Sequence, residues 1–172
     1  LMAISLASIS RSTALAAPRI VIYAENGLGK TTFAAGAPNP IFVPCEDGLG
    51  SVDVAHFPLC RKVADVSDAI GCLYNEKHDY KTVVLDSADW CEALIEADIQ
   101  STHEAKDLAY GKGNVKIAEQ WRSLLTGLDA LRNERGMVVV VIAHCKITRF
   151  DSPETEPYDR YGLKLTDRSA GV

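Results

Sequence analysis

The run Arg19-Ile20-Val21-Ile22-Tyr23 leads into Ala24-Glu25-Asn26-Gly27-Leu28-Gly29-Lys30-Thr31-Thr32, after which the chain turns helical. A strand that ends in a glycine turn and reopens as a helix restricts the fold more than any other feature. Both elements must pack against one sheet, which predicts an α/β arrangement. The spacing is that of the Walker A loop: Ala or Gly, four variable residues, then Gly-Lys-Thr. Gly27 and Gly29 let the backbone curl so that successive N–H groups face phosphate oxygens. Glu25, Asn26, Leu28 and Thr32 complete the cradle, and the helix that opens near Lys30 adds the partial positive charge of its N-terminus. Lys30 is expected to reach the β- and γ-phosphates of ATP, and the Thr31 hydroxyl to ligate Mg²⁺. Ala24 stands where glycine is more usual, and its methyl fits wherever φ stays negative.

At 172 residues the chain is long enough for one domain with a core that needs no disulfide or metal. Hydrophobic residues at 47% and charged residues at 24% exclude a disordered or collagen-like chain. The net charge of −5 excludes a global basic field, so any contact with a polyanion must be local. Cys45, Cys60, Cys72, Cys91 and Cys145 are widely spaced and include no C-x-x-C pair, which predicts reduced thiols in a cytoplasmic protein. Met137 to Ala143, the longest apolar run, is far too short to span a bilayer, and no membrane partner is expected. The first twenty residues lack the basic and apolar regions of a signal peptide.

Further along, Ile41-Phe42-Val43 reads as a second strand. Asp65 is placed to cap a helix whose apolar face is Val66, Ala69, Ile70, Leu73 and Tyr74. Lys81 to Leu85 is a third strand, followed by a helix carrying Trp90, Leu94 and Ile95. Residues 102–114 lose periodicity and predict a loop. Ile117, Trp121, Leu124, Leu125, Leu128 and Leu131 then form one helical stripe that Gly136 ends. Met137 to Ala143 has no polar alternation, as expected of a strand covered on both faces. Residues 147–160 predict a second long loop, and Tyr161 to Leu165 a last strand. The expected organisation is a short extension over 1–18, either a flexible terminus or used in oligomerisation by adding Ile4 to Ile9 as a strand to a neighbouring copy, and a mainly parallel α/β domain over 19–172 that lacks its C-terminal end. The Arg19–Tyr23 strand is expected to be buried.

Three polar residues end predicted strands, at the edge where open α/β sheets bind ligands. Asp86 closes Val83-Val84-Leu85, the Walker B pattern, and would hold Mg²⁺ opposite Thr31. Glu46 follows the second strand and is the candidate catalytic base that activates water, with Asp47 its competitor. His144 ends the apolar strand, where it could hydrogen-bond a γ-phosphate and report it to the following loop.

With these residues in order, the sequence resembles the RecA-like recombinase ATPases, and more narrowly the phage ATP-binding group that includes single-strand annealing proteins. The likeness spans roughly residues 19 to 168. Besides the phosphate loop, it is carried by Val43-Pro44-Cys45-Glu46-Asp47-Gly48-Leu49, Val84-Leu85-Asp86-Ser87 and Val141-Ile142-Ala143-His144. It implies a P-loop NTPase with a RecA-like core, Glu46 as catalytic glutamate, and His144 in place of the family's usual sensor Gln. It also implies two loops that hold single-stranded DNA. These correspond to residues 101–114, with Lys106, Tyr110 and Lys112, and residues 147–160, with Arg149, Phe150 and Arg160. Cations for phosphates and aromatics for bases suit sequence-tolerant binding. Acids at Glu104, Asp107, Asp151, Glu154, Glu156 and Asp159 are interleaved with them.

The resemblance further implies a homo-oligomeric ring or filament, Lys164 or Arg168 as a cation for a neighbour's site, and a single-strand binding protein as a further partner. For a phage-encoded chain the compartment is the cytoplasm of the bacterial host. The expected function is therefore a DNA-stimulated, Mg²⁺-dependent ATPase of recombination, by annealing or strand exchange. A nucleotide switch that controls a protein partner without DNA is the alternative. A small-molecule kinase is disfavoured, because no Arg-rich lid is evident to exclude water.

Overall fold

In a computed structural model, residue 9, residues 16–50 and residues 52–172 are described. The proposed strand addition through Ile4 to Ile9 lies almost wholly outside them.

Strands β1 (Arg19–Ala24), β2 (Pro40–Pro44), β3 (Ala55–His56), β4 (Thr82–Asp86) and β5 (Val138–Phe150) form a parallel sheet in the order β1-β5-β4-β2-β3. Strand β6 (Tyr158–Leu163) pairs antiparallel with the far end of β5. Helices α2 (Val63–Asn75), α3 (Ala88–Thr102) and α5 (Lys112–Glu134) cover one face, and the short α1 (Lys30–Ala35) covers the other. The mainly parallel sheet flanked by helices is the α/β architecture expected of a P-loop domain.

The period of two along each strand sorts the core. Val139, Val141 and Ala143 of β5 face the three-helix layer with Ile41 and Val43, whereas Val140 and Ile142 face α1 with Phe42, Val84 and Ala34. The stripe on α5 buries Ile117, Trp121, Leu124, Leu128 and Leu131 as its spacing requires. On α2 the Asp65 carboxylate accepts the backbone N–H of Arg61 and Lys62, so it caps from inside the first turn rather than from the residue before it. All five cysteines are free, and Cys45, Cys60 and Cys91 are buried.

Four expectations need correction. Strand β1 is not buried: it pairs with β5 alone among the described residues, and Val21 and Tyr23 remain 53% and 45% exposed. Residues 102–114 are not a loop, since α3 runs to Thr102, a short α4 spans Ala105–Leu108, and α5 starts at Lys112. Glycines at 111 and 113 suggested irregular backbone, but Gly111 is a helix N-cap with φ 79° and Gly113 sits inside the helix. Residues 147–160 are largely a hairpin, because β5 continues through Phe150 and pairs with β6 from Tyr158. The alternation on either side of a Pro-containing tip was present, but the polar tip hid it. Finally, Trp90 faces outward on α3, whereas Cys91, Ile95 and Ile99 face the core.

Helices α2 and α5 approach closely at Gly127, where an added Cβ would sit 3.0 Å from Ile70 Cγ2. Gly127→Val is therefore expected to lower stability by about 1–3 kcal/mol through overpacking. The urea midpoint should fall with an unchanged slope.

Candidate active site

Parallel pairing places the strand ends in one row. Pro44 is level with Asp86, and Asp86 with Ile142. Two residues beyond Pro44 and Ile142 stand Glu46 and His144, so their side chains share the sheet face of Phe42, Val84, Asp86 and Ile142. That face lies beneath α1 and its preceding loop. The result is a cleft of about 440 Å³ lined by Asn26, Gly27, Gly29, Lys30, Thr31, Thr32, Glu46, Asp86 and His144, closed on the far side by residues 48–50 and Val52. Lys30, Glu46, Asp86 and His144 thus converge on one rim. Of the expected loop residues, Glu25 and Leu28 are exposed and do not line the cleft.

The loop takes its shape from Gly27 and Gly29, whose φ values of 78° and 82° lie in the left-handed region that side-chain-bearing residues avoid. The Lys30 ammonium is buried and donates to the carbonyls of Ala24 (3.1 Å) and Glu25 (2.9 Å), spanning the loop it belongs to. The Thr31 hydroxyl donates to Asp86 Oδ2 at 3.0 Å. Burial pushes the Asp86 carboxyl above the ordinary carboxylate range, and the Glu46 charge adds to that, while the Thr31 hydroxyl, His144 and Lys30 pull the other way. This corner is short of positive charge.

Magnesium fits that shortage. It is satisfied by one or two protein oxygens, with phosphate and water completing its octahedron. The adjoining Thr31 hydroxyl and Asp86 carboxylate could supply those two oxygens. A triphosphate fits as well, with the left-handed glycines and the N-terminus of α1 on one side and Lys30 within the loop.

Glu46 is partly buried and its side chain packs on Gly48, where an added Cβ would lie 3.3 Å from Glu46 Cγ. Its neighbour Asp47 is exposed and borders a different hollow, so of the two acids only Glu46 reaches the cleft. Glu46 Oε1 is 3.8 Å from His144 Nε2. The opposite edge of the imidazole meets a residue that sequence reading missed. His144 Nδ1 lies 3.0 and 2.9 Å from the two Asp89 oxygens, and the His144 N–H donates to Asp89 Oδ1 at 3.0 Å. Burial alone would raise the Asp89 carboxyl, but the bonds from His144 outweigh it and hold it below the usual carboxylate range. The one signal in the sequence was an acid in the first turn of the helix after Asp86, which is ordinary for a helix start.

The remaining site residues lie apart. Lys106, Tyr110 and Lys112 are exposed around α4 and the start of α5, with Lys106 paired to Glu104 at 2.7 Å. Arg149, Phe150 and Arg160 stand on the β5–β6 hairpin, where the Arg160 guanidinium lies 4.3 Å over the Phe150 ring and Tyr158 packs beside it. Lys164 is 3.8 Å from Asp89 of its own chain, so it is engaged in cis. Arg168 sits exposed in α6 (Asp167–Ala170). His56, His78 and His103 each lie against a backbone carbonyl.

Because burial disfavours its ionised carboxylate in the fold, Asp86→Asn should raise the melting temperature of the nucleotide-free protein at neutral pH. The same change should weaken Mg²⁺-dependent nucleotide binding. Calorimetric melting and titration with and without Mg²⁺ check the two effects.

A family model described as an AAA domain matches residues 16–172, nearly the whole described chain. Comparison with curated proteins gave no match. No helix among the described residues is long and apolar enough to cross a membrane. With the phosphate loop, the strand-end acids and the parallel sheet in place, the chain belongs to the AAA domain family, a P-loop NTPase type of nucleotide binding and hydrolysis.

Proposed function

We propose that this domain is a Mg²⁺-dependent ATPase whose nucleotide state governs a hairpin that holds single-stranded DNA. One observation carries the reading. His144 faces the cleft at the end of the parallel part of β5, and the same strand runs without a break into the hairpin bearing Arg149, Phe150 and Arg160.

In this reading Lys30 and the loop N–H groups hold the β- and γ-phosphates. Thr31 and Asp86 hold the magnesium ion, which when bound neutralises phosphate charge. Glu46 orients and deprotonates the attacking water. His144 stands beside the γ-phosphate and shifts the strand it ends as that phosphate arrives and departs. On the hairpin, the Phe150 and Tyr158 rings, 5.4 Å apart, offer stacking surface for bases, and the two arginines offer charge for phosphates. Lys106, Tyr110 and Lys112 provide a second contact. Arg149 lies 3.6 Å from Asp151 and Lys106 is paired to Glu104, so DNA must displace acids and binding should weaken steeply with salt. Exposed Tyr23, Leu28 and Tyr161 beside the loop favour assembly of several copies along the strand.

ATP turnover titrated with a single-stranded oligonucleotide tests the proposal, and turnover should rise with DNA. Glu46→Gln should retain nucleotide and oligonucleotide while losing turnover by about 10²-fold or more. Phe150→Ala with Arg160→Ala should weaken oligonucleotide binding by about 1–3 kcal/mol. Turnover indifferent to DNA, with no shift of a labelled oligonucleotide, would favour the switch on a protein partner. That second reading draws on the net charge of −5 and on the hairpin acids Asp151, Glu154, Glu156 and Asp159.

A further inference from the structure

Asp89 is a nearly buried acid at the back of the cleft, and the hydrolysis scheme above gives it no task. It is surrounded by donors. The His144 N–H, the His144 ring and the Ser87 hydroxyl (3.0 Å) all point to it, and the Lys164 ammonium stands 3.8 Å away. A carboxyl so placed accepts and does not donate, so the proton between it and the imidazole belongs to Nδ1. Neutral imidazole carries one N–H, which leaves a lone pair on Nε2, and Nε2 is the atom that faces Glu46. The 3.8 Å gap closes to hydrogen-bond range with a movement of about 1 Å in the Glu46 side chain.

We infer that Asp89 is a positioning residue: it keeps the proton on Nδ1 of His144 and so makes His144 the second acceptor of the proton that Glu46 takes from water. The inference rests on the ATPase reading and deepens it. As the water oxygen bonds to the γ-phosphorus, the bond from that phosphorus to the bridging oxygen breaks and its electron pair leaves with ADP. The water proton passes to the Glu46 carboxylate and on to Nε2. The imidazolium that results lies between Glu46 and Asp89, which stabilise it, and it releases the proton to solvent as phosphate departs. Glu46 is then an ionised base again before the next water arrives. A glutamine at position 144 would donate its amide N–H to a phosphate, which a bare Nε2 does not, but it takes no proton.

The groups are held together from outside the cleft as well. The Lys164 N–H donates to the His144 carbonyl at 2.9 Å, tying the strand after the hairpin to the same residue. On α3, one turn beyond Asp89, the buried Glu92 carboxylate accepts the Thr166 N–H (2.9 Å) and hydroxyl (3.0 Å). Two acids of one helix therefore fix both the sensor histidine and the segment that returns from the hairpin.

The test combines steady-state ATP turnover with ¹⁵N spectra of the histidine side chains in the full chain. In the unaltered protein His144 should show a protonated Nδ1 and a bare Nε2; a proton on Nε2 instead would overturn the inference. Asp89→Asn should lose that tautomer preference and lower kcat at least tenfold with little change in the KM for ATP. His144→Gln should lower kcat by about 10²-fold. If His144→Gln or a folded Asp89→Asn turns over within about threefold of the parent while Glu46→Gln is inactive, the relay is wrong and the ATPase reading stands. If the parent itself hydrolyses no ATP, that reading fails and the relay falls with it, a result separate from the tautomer measurement.

Discussion

Level registration of parallel strands is the constraint on which the site depends. Pro44, Asp86 and Ile142 lie in one row because β2, β4 and β5 pair without slip. A shift of one residue in any pair would turn Glu46, Asp86 or His144 to the opposite face of the sheet. The register is held by burial on both sides: Val83, Val139 and Val141 face the three-helix layer, while Phe42, Val84 and Ile142 face α1. Slipping a strand would move apolar side chains out of sockets that fit them. The positions of the polar residues are thus a consequence of hydrophobic packing one turn of the pleat away.

Charge then divides the rim into two zones. Around Thr31 and Asp86 a carboxylate is buried with few donors in reach, and that burial, with a smaller part from the Glu46 charge, raises the Asp86 carboxyl. Around His144 the balance is reversed, and donors hold Asp89 ionised. The first zone is suited to a cation, and the second to holding an imidazole in one orientation. Both use carboxylates, and what separates them is the set of hydrogen-bond donors each can reach.

The sheet edge and the hairpin give the domain two different surfaces. Strand β1 leaves Val21 and Tyr23 outward beside the phosphate loop. The β5–β6 hairpin instead presents the Arg160 guanidinium over the Phe150 ring, with the Tyr158 ring beside it. Strand β5 joins them: its first half is a buried parallel strand, and its second half leaves the sheet as one arm of the hairpin. A displacement at His144 has a continuous backbone along which to travel.

Much of this was legible in the residues themselves. The phosphate loop, the order of the main strands and helices, the face of α5 and the strand-end polar residues follow from local chemistry, because glycine placement, apolar period and strand length act over a few neighbours; the short β3, α4 and α6 do not. The hairpin was not legible, since its polar tip and interleaved acids resemble a solvated loop until the pairing of Phe150 with Tyr158 is known. Nor was Asp89, which by sequence is an ordinary acid in a first helical turn. It meets His144 55 positions away only because α3 packs over the end of β5. The exposure of β1 was likewise decided by where the sheet ends, not by its composition. Local patterns specify elements and the loop between them. Which polar groups face one another depends on long-range packing, and that is a property of the assembled sheet.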